Sequence, residues 1–200
     1  MTVFASAARS FAALVREIPD SRWDGPGLGE WDLRSLVGHT SRSLITVSSY
    51  LQTSASREDI ATPQEYYVRV TGSALGLDPA DVVQRGRQAG RDLGDDPAAT
   101  IDGLVARALG DVEAADDPLI EVIGGLGIRL STYLPTRVFE LAVHGLDIAR
   151  ATGLDFALPD EVLDEAVTLA ARIGVALGKG ETVLLALTGR EALPPSFSVV

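Results

Sequence analysis

The chain has 200 residues, of which 46% are hydrophobic and 22% are charged, as in an ordinary globular domain. No stretch approaches the ~20 consecutive apolar residues of a membrane span, and the absence of cysteine excludes disulfides, thiolate metal ligands and a cysteine nucleophile. The net charge of −11 argues against nucleic acid and anionic membranes as partners, since both need a basic surface.

Apolar residues at helical spacing dominate the first half of the chain. Asp32 has the side chain of a helix N-cap, and Asp78 followed by Pro79 is typical of a helix start. Glycine and proline residues between these segments predict loops. The sequence therefore predicts helices at about residues 3–18, 32–51, after Pro63, at 78–93 and at 98–115.

A short hairpin is predicted over residues 118–130, because two apolar runs flank the pair Gly124-Gly125. Ser131 or Thr132 then has the side chain needed to cap a long helix. That helix is expected to end at Gly153, since glycine is the usual residue after a helix C-terminus.

The last segment is expected to contain a helix at about residues 159–178 and then β structure. Residues 181–187 are a β-like apolar run, and residues 197–200 are expected to form a short closing strand. The predicted fold is mainly α: a four-helix bundle with a short β-hairpin and a small C-terminal β element. Residues 1–180 are expected to form the bundle domain, with residues 181–200 as a short β tail packed on it.

The candidate functional residues include the two histidines of the chain, His39 and His144. Glu140 lies four residues before His144, so on a helix both side chains project from one face and can reach one ion. His39 lies within another predicted helix and would supply a third ligand, as in the metal sites of helical bundles. Two imidazoles and one carboxylate suit zinc, and three protein ligands would leave a fourth position for water or substrate.

Each of these residues also has a simpler interpretation. A glutamate and a histidine four residues apart often form only a surface ion pair, and a single histidine within a helix is often a hydrogen-bonded core residue. The residues around Glu140 and His144 are mostly apolar, and burial of unpaired polar groups there would be unfavourable. This context favours the metal site.

Two segments resemble the signatures of the mycothiol-dependent maleylpyruvate isomerase family, which belongs to the DinB-like metal-binding bundle superfamily. The first is residues 31–39, WDLRSLVGH, a tryptophan-led helix that carries one histidine. The second is residues 137–149, RVFELAVHGLDIA, which contains the pattern Glu-x-x-x-His-x-x-Asp. Residues 187–199 also resemble the end of such proteins, so the resemblance covers most of the chain.

The resemblance implies a DinB-like four-helix bundle and a zinc ion, or another divalent metal, held by His39, Glu140 and His144. It also implies mycothiol as co-substrate. In the isomerase itself a fuller C-terminal domain contributes a basic residue to catalysis, whereas Arg190 is the single cation in residues 181–200 here. The resemblance therefore does not extend to maleylpyruvate as the substrate.

Three further residues are candidates for a catalytic role: Arg137, Asp147 and Arg190. Arg137 and Asp147 lie three residues from Glu140 and His144, respectively, and so lie near the ligand stripe. Asp147 either orients an imidazole or forms an ion pair near the helix end. Tyr66 and Tyr67 either line the mouth of a pocket or serve in packing.

Three functions remain open at this point. The first is an enzyme in which the metal binds a low-molecular-weight thiol, whose thiolate attacks a small electrophile. The second is a metal-dependent hydrolase, and the third is a non-catalytic module that binds a ligand or partner. In the first case the partners are a small-molecule substrate and the thiol. The absence of a signal-peptide pattern predicts a cytoplasmic protein, and a homodimer stays open.

Overall fold

A computed structural model describes residues 2–71 and 79–200 of the chain. These residues contain eight α-helices and one two-stranded antiparallel sheet, which confirms the predicted mainly α fold with a hairpin. The helices are α1 (Val3–Arg16), α2 (Leu33–Tyr50), α3 (Pro63–Thr71), α4 (Pro79–Asp92), α5 (Pro97–Glu113), α6 (Leu130–Thr152), α7 (Asp160–Ala176) and α8 (Gly180–Leu187). The strands are β1 (Leu119–Val122) and β2 (Leu126–Arg129).

Four of the helices form a bundle. Helices α1 and α2 each pack against both α5 and α6, while α4 covers α2 and α7 covers α6 and α3. The bundle forms because each helix has an apolar stripe: α1 buries Phe4, Phe11 and Val15, and α2 buries Leu36 and Leu44. None of the described helices combines the length and the apolarity needed to cross a bilayer.

The predicted cap of α2 is present, whereas the predicted cap of α6 is not. The Asp32 carboxylate accepts a hydrogen bond from the Ser35 amide at 2.7 Å. Helix α6 begins at Leu130, directly after β2, and Asp117 accepts hydrogen bonds from the amide and the hydroxyl of Ser131 at 2.7 and 3.0 Å. This outside carboxylate satisfies a first-turn amide that a capping residue would otherwise satisfy. The other predicted cap, Asp78, lies outside the described residues.

The hairpin forms where the sequence predicts it. Strands β1 and β2 pair in the register Leu119↔Arg129 to Val122↔Leu126. Gly124 and Gly125 join the strands with φ angles of 78° and 72°, a left-handed conformation that glycine adopts without steric strain.

The prediction of a C-terminal β element is wrong. Residues 181–187 lie in helix α8, and residues 197–200 form no strand. A strand needs a partner edge, and the sheet in the described residues contains only β1 and β2, which pair with each other. Helix α8 instead packs on α7, where Val183 lies against Gly174. The division into domains at residue 180 stays a prediction.

Helix α2 packs against both α4 and α6. Its approach to α4 is close: a Cβ on Gly38 would lie only 2.2 Å from the backbone nitrogen of Gly90. The packing of α2 on α6 places the next residue, His39, beside the face of α6 that carries Glu140 and His144.

Candidate metal centre

His39, Glu140 and His144 meet between helices α2 and α6. Each side chain offers one ligand atom, and these atoms all lie within 4.8 Å of one another. The four-residue spacing on α6 brings Nε2 of His144 to 3.4 Å from Oε2 of Glu140. The side chains of His144 and Glu140 keep 14% and 23% of their surface exposed, so an ion or a ligand can reach them from solvent.

His144 is held between two carboxylates. Its Nδ1 lies 3.2 Å from Oδ2 of Asp147, which can only accept a hydrogen bond, so Nδ1 carries a hydrogen. Burial alone lowers the pKa of His144, but the hydrogen bonds with Asp147 and Glu140 outweigh it and raise the pKa to about 9. The cationic ring carries its other proton on Nε2, the atom that faces Glu140. When that proton is lost, Nε2 has the free lone pair that a metal ion can bind.

Glu140 stays ionised although it is buried. Burial raises its pKa, but the hydrogen bond from His144, the charge of Arg137 and the hydrogen bond from Tyr67 together lower it to about 2. The Tyr67 hydroxyl donates to Oε1 of Glu140 at 2.9 Å. Burial and then the Glu140 charge raise the pKa of Tyr67 well above its ordinary value, so this donor keeps its proton.

His39 has the opposite electrostatic environment. Burial and the charge of His144 lower its pKa to about 4, so the ring is neutral at pH 7. Its Nδ1 is buried and has no hydrogen-bond partner among the described residues. The ring lies 4.4 Å from the Trp31 ring and 5.1 Å from the His144 ring, measured between centroids.

These donors fit a divalent transition metal. A neutral imidazole with an unpaired buried nitrogen needs a partner, because buried polar atoms are rarely left unsatisfied. The second imidazole has its Nδ1 fixed by a carboxylate, the usual arrangement around a metal-bound histidine. The third donor is Glu140, whose pKa of about 2 keeps its carboxylate ionised at neutral pH. Two nitrogens and one oxygen are typical of catalytic zinc sites.

A cavity of about 350 Å³ opens beside the three donors. Its polar lining includes two tyrosines of α3, Tyr66 and Tyr67, and Tyr133 of α6. Three arginines from three helices also line it, namely Arg42 of α2, Arg85 of α4 and Arg137 of α6.

Arg137 is the most buried of these arginines, with 8% of its surface exposed. Its guanidinium lies over the rings of Tyr66 and Tyr133, at 5.3 and 4.8 Å from their centroids, and its Nε donates to Oγ1 of Thr136 at 3.0 Å. Burial lowers its pKa, but the neighbouring phenols and Glu140 outweigh that effect and keep the pKa above its ordinary value. The group is therefore a fixed cation.

The structure brings two of the three additional candidates to this site and leaves one away from it. Asp147 contacts His144, and Arg137 lines the cavity. Arg190 is exposed after α8, where its guanidinium donates to the Thr188 carbonyl at 2.7 Å, and it does not line the cavity.

Sequence reasoning underrated Tyr67 and missed Arg42 and Arg85. Arg42 follows His39 by three residues on α2, and that helical spacing was a usable signal. Nothing in the sequence marks Arg85, because its position depends on how α4 packs on α2. The sequence shows the pair Tyr66 and Tyr67, but only the packing of α3 on α6 gives Tyr67 its contact with Glu140.

A comparison with protein families gives one match. The family model described as mycothiol maleylpyruvate isomerase N-terminal domain matches residues 4–149, a span that includes all three donors, all of α2 and most of α6. No curated protein and no solved structure matches the chain.

Proposed function

The chain belongs to the family of the mycothiol maleylpyruvate isomerase N-terminal domain, and we propose that it is a metal-dependent enzyme that uses a low-molecular-weight thiol. The metal is Zn²⁺, held by His39, Glu140 and His144. The thiol is mycothiol, and the reaction is thiol transfer to a small electrophile or thiol-assisted isomerisation of one, in the cytoplasm.

The convergence of three donors at the wall of a cavity carries this proposal. The ligand atoms lie within 4.8 Å of one another, and the adjoining space of about 350 Å³ is large enough for a small ligand. Three protein ligands leave a tetrahedral ion one position for an outside donor. A bound Zn²⁺ would supply the positive charge that lets a thiol lose its proton near neutral pH.

The side chains around the donors fix the geometry of the site. Tyr67 holds Glu140 by a hydrogen bond of 2.9 Å, and Asp147 holds His144 through Nδ1 at 3.2 Å. Such contacts orient ligand atoms before the metal arrives and so strengthen its binding. Because the chain contains no cysteine, a sulfur nucleophile has to come with a ligand.

Metal analysis and thiol titration test the proposal. We expect the purified chain to contain about one Zn²⁺ per molecule, as three convergent ligands predict, and His144→Ala to contain none. In the cobalt-substituted protein, mycothiol should produce a sulfur-to-cobalt charge-transfer band. Glu140→Gln keeps the shape of the side chain but removes its charge, so it should weaken the binding of both metal and thiol.

Glu113→Gln is the matched control, because Glu113 is an exposed carboxylate at the end of α5, outside the cavity. It should bind metal and thiol like the wild type. A wild-type chain that binds Zn²⁺ no more tightly than His144→Ala would refute the metal site. Stoichiometric metal without any spectral response to mycothiol would refute the thiol reaction and favour a hydrolase.

A further inference from the structure

Helices α7 and α8 and the residues after α8 carry most of the exposed apolar side chains of the chain. Among the described residues ten large apolar side chains are exposed, and eight of them lie within residues 163–200. The other two, Leu28 and Val68, lie apart from this segment. Apolar residues that are exposed singly need no explanation, whereas a contiguous group marks a contact surface.

A groove of about 610 Å³ runs between α7, α8 and the residues that follow α8. Its walls include Val167 of α7, Leu187 of α8 and Leu193, which keep 51, 71 and 50% of their surface exposed. Among the described residues, Glu191 and Ser198 are the polar side chains of the lining. A small-ligand site usually has several convergent polar groups, so an apolar protein surface suits this groove better.

The apolar walls of the groove continue along both helices. Leu163 lies one turn before Val167 on α7, and Leu184 lies three residues before Leu187 on α8, so each pair shares one face of its helix. Leu163 and Leu184 are 45% and 62% exposed. These four residues and Leu193 are called the apolar face below.

The residues after α8 form a wall of the groove and do not cover it. The Lys179 ammonium donates to the Ser198 carbonyl at 2.7 Å and lies 5.6 Å from the centroid of the Phe197 ring. Val199 packs on α7 beside Gly174. These contacts fix the segment at the side of the groove, which leaves the apolar face open to another molecule.

The area of the apolar face matches what a homodimer needs. A fully exposed leucine or valine side chain presents on the order of 100 Å², so the five side chains, at 45–71% exposure, present roughly 300 Å². Two copies face to face would bury roughly 600 Å² from these side chains. A specific interface buries at least ~1,000 Å² in total, and about 65% of a homodimer interface is apolar. The two areas agree.

We propose that the chain forms a homodimer in which two apolar faces meet around a twofold axis. Leu184 and Leu187 of one copy enter the groove of the other, and the same contact repeats in reverse, as an isologous interface requires. The net charge of −11 makes two copies repel each other. This face keeps that repulsion small, since Glu191 is the one charged side chain among the described residues of the groove.

Analytical ultracentrifugation of the full chain over a range of micromolar concentrations tests the dimer. The wild type should approach twice the chain mass of 21.0 kDa as its concentration rises. Leu187→Ala removes apolar area from both halves of the interface and should raise the dimer Kd about tenfold. Leu184→Glu/Leu187→Glu places carboxylates in the apolar contact and should raise it at least about a hundredfold.

Leu28→Glu is the matched control. Leu28 is 41% exposed, precedes α2 and does not line the groove, so this variant should dimerise like the wild type. The replaced side chains of α8 are exposed, so the double variant should keep its native helicity in circular dichroism. It should also bind Zn²⁺ like the wild type, because neither residue lines the cavity beside the metal donors.

Thiol labelling locates the interface. The chain contains no cysteine, so Leu187→Cys and Leu28→Cys each carry a single thiol. With excess maleimide, Leu187→Cys should react more slowly in the dimer than after dilution to the monomer. Leu28→Cys should react at the same rate in both states.

Four results would overturn the proposal. The first is a wild type that stays at 21.0 kDa at every concentration, and the second is a dimer that the folded variant Leu184→Glu/Leu187→Glu leaves intact. The third is equal labelling of Leu187→Cys in dimer and monomer, which would place the contact on another surface. The fourth is a monomer that binds phosphatidylcholine vesicles through Leu184 and Leu187, which would assign the apolar face to lipid.

Discussion

His144 is a histidine whose protonation is set by its two carboxylate neighbours. Asp147 fixes Nδ1 as a donor, and Glu140 lies 3.4 Å from Nε2, so without metal the ring is cationic at neutral pH. His39, only 5.1 Å away between ring centroids, is neutral because burial and this neighbouring charge both disfavour a second cation. One site therefore contains two imidazoles in different charge states.

This difference predicts how many protons Zn²⁺ releases. The pKa of His144 is about 9, so at pH 7 its Nε2 must lose a proton before it can bind the ion. His39 has a pKa of about 4 and Glu140 a pKa of about 2, so neither has a proton to lose at pH 7. We expect release of about one proton per Zn²⁺ from the protein. Calorimetric titrations in buffers of different ionisation enthalpy measure this number.

The protonation of His144 also sets the sign of the pH dependence of Zn²⁺ binding. Protons compete with Zn²⁺ for His144 below a pH of about 9, so affinity should rise about tenfold per unit from pH 6 to pH 8. In Asp147→Asn the acceptor charge is lost and the pKa of His144 falls, so fewer protons should be released at pH 7. A Zn²⁺ affinity that does not change between pH 6 and pH 8 would contradict a cationic His144 in the metal-free protein.

At the scale of the elements, the site depends on how closely α4 approaches α2. Gly38 and Gly90 face each other where these helices meet, and a Cβ on Gly38 would be 2.2 Å from the Gly90 nitrogen. The same packing carries Arg85 to the cavity and places Gly86 under the Trp31 ring, which in turn contacts His39. A small residue in α2 thus controls the position of side chains that lie around the donors.

Gly38→Ala should therefore destabilise the protein, although alanine favours helices. The backbone of α4 must move to admit the methyl group, and overpacking of this kind lowers the free energy of unfolding by about 1–3 kcal/mol. Gly103→Ala is the control, since a Cβ at that helical position meets no atom within 4 Å. It should be neutral or stabilise by up to ~1 kcal/mol. If Gly38→Ala and Gly103→Ala unfold at the same urea concentration, α2 and α4 do not approach each other closely at Gly38.

At the scale of the molecule, the sequence predicts most of the helices and the three candidate metal donors, but not every residue that lines the cavity. Apolar stripes and the cap Asp32 locate the helices of the bundle because these signals are local. The pair Glu140 and His144 also follows from local spacing. The helical state of residues 181–187 does not follow from local spacing. A short apolar run suits either a strand or a helix, and the element it packs against decides between them. The approach of Arg85 depends on tertiary packing alone.

The metal donors come from α2 and α6, two helices of the central bundle that lie about a hundred residues apart in the chain. An ion between them binds the folded chain but finds no preformed site in the unfolded one, so it should stabilise the fold. At a free Zn²⁺ concentration of 100 times Kd the gain is about 2.7 kcal/mol. For a domain of this size that gain raises Tm by roughly 5–10 °C.

Calorimetric melting of the wild type with and without Zn²⁺ measures this shift, and His144→Ala should show none because it lacks one of the three donors. Glu113→Gln should show the full shift, since its carboxylate lies outside the cavity. A shift of equal size in His144→Ala would mean that Zn²⁺ stabilises the chain from other acidic groups on its surface. The ion would then not join α2 to α6, and His39, Glu140 and His144 would have to be explained without a metal.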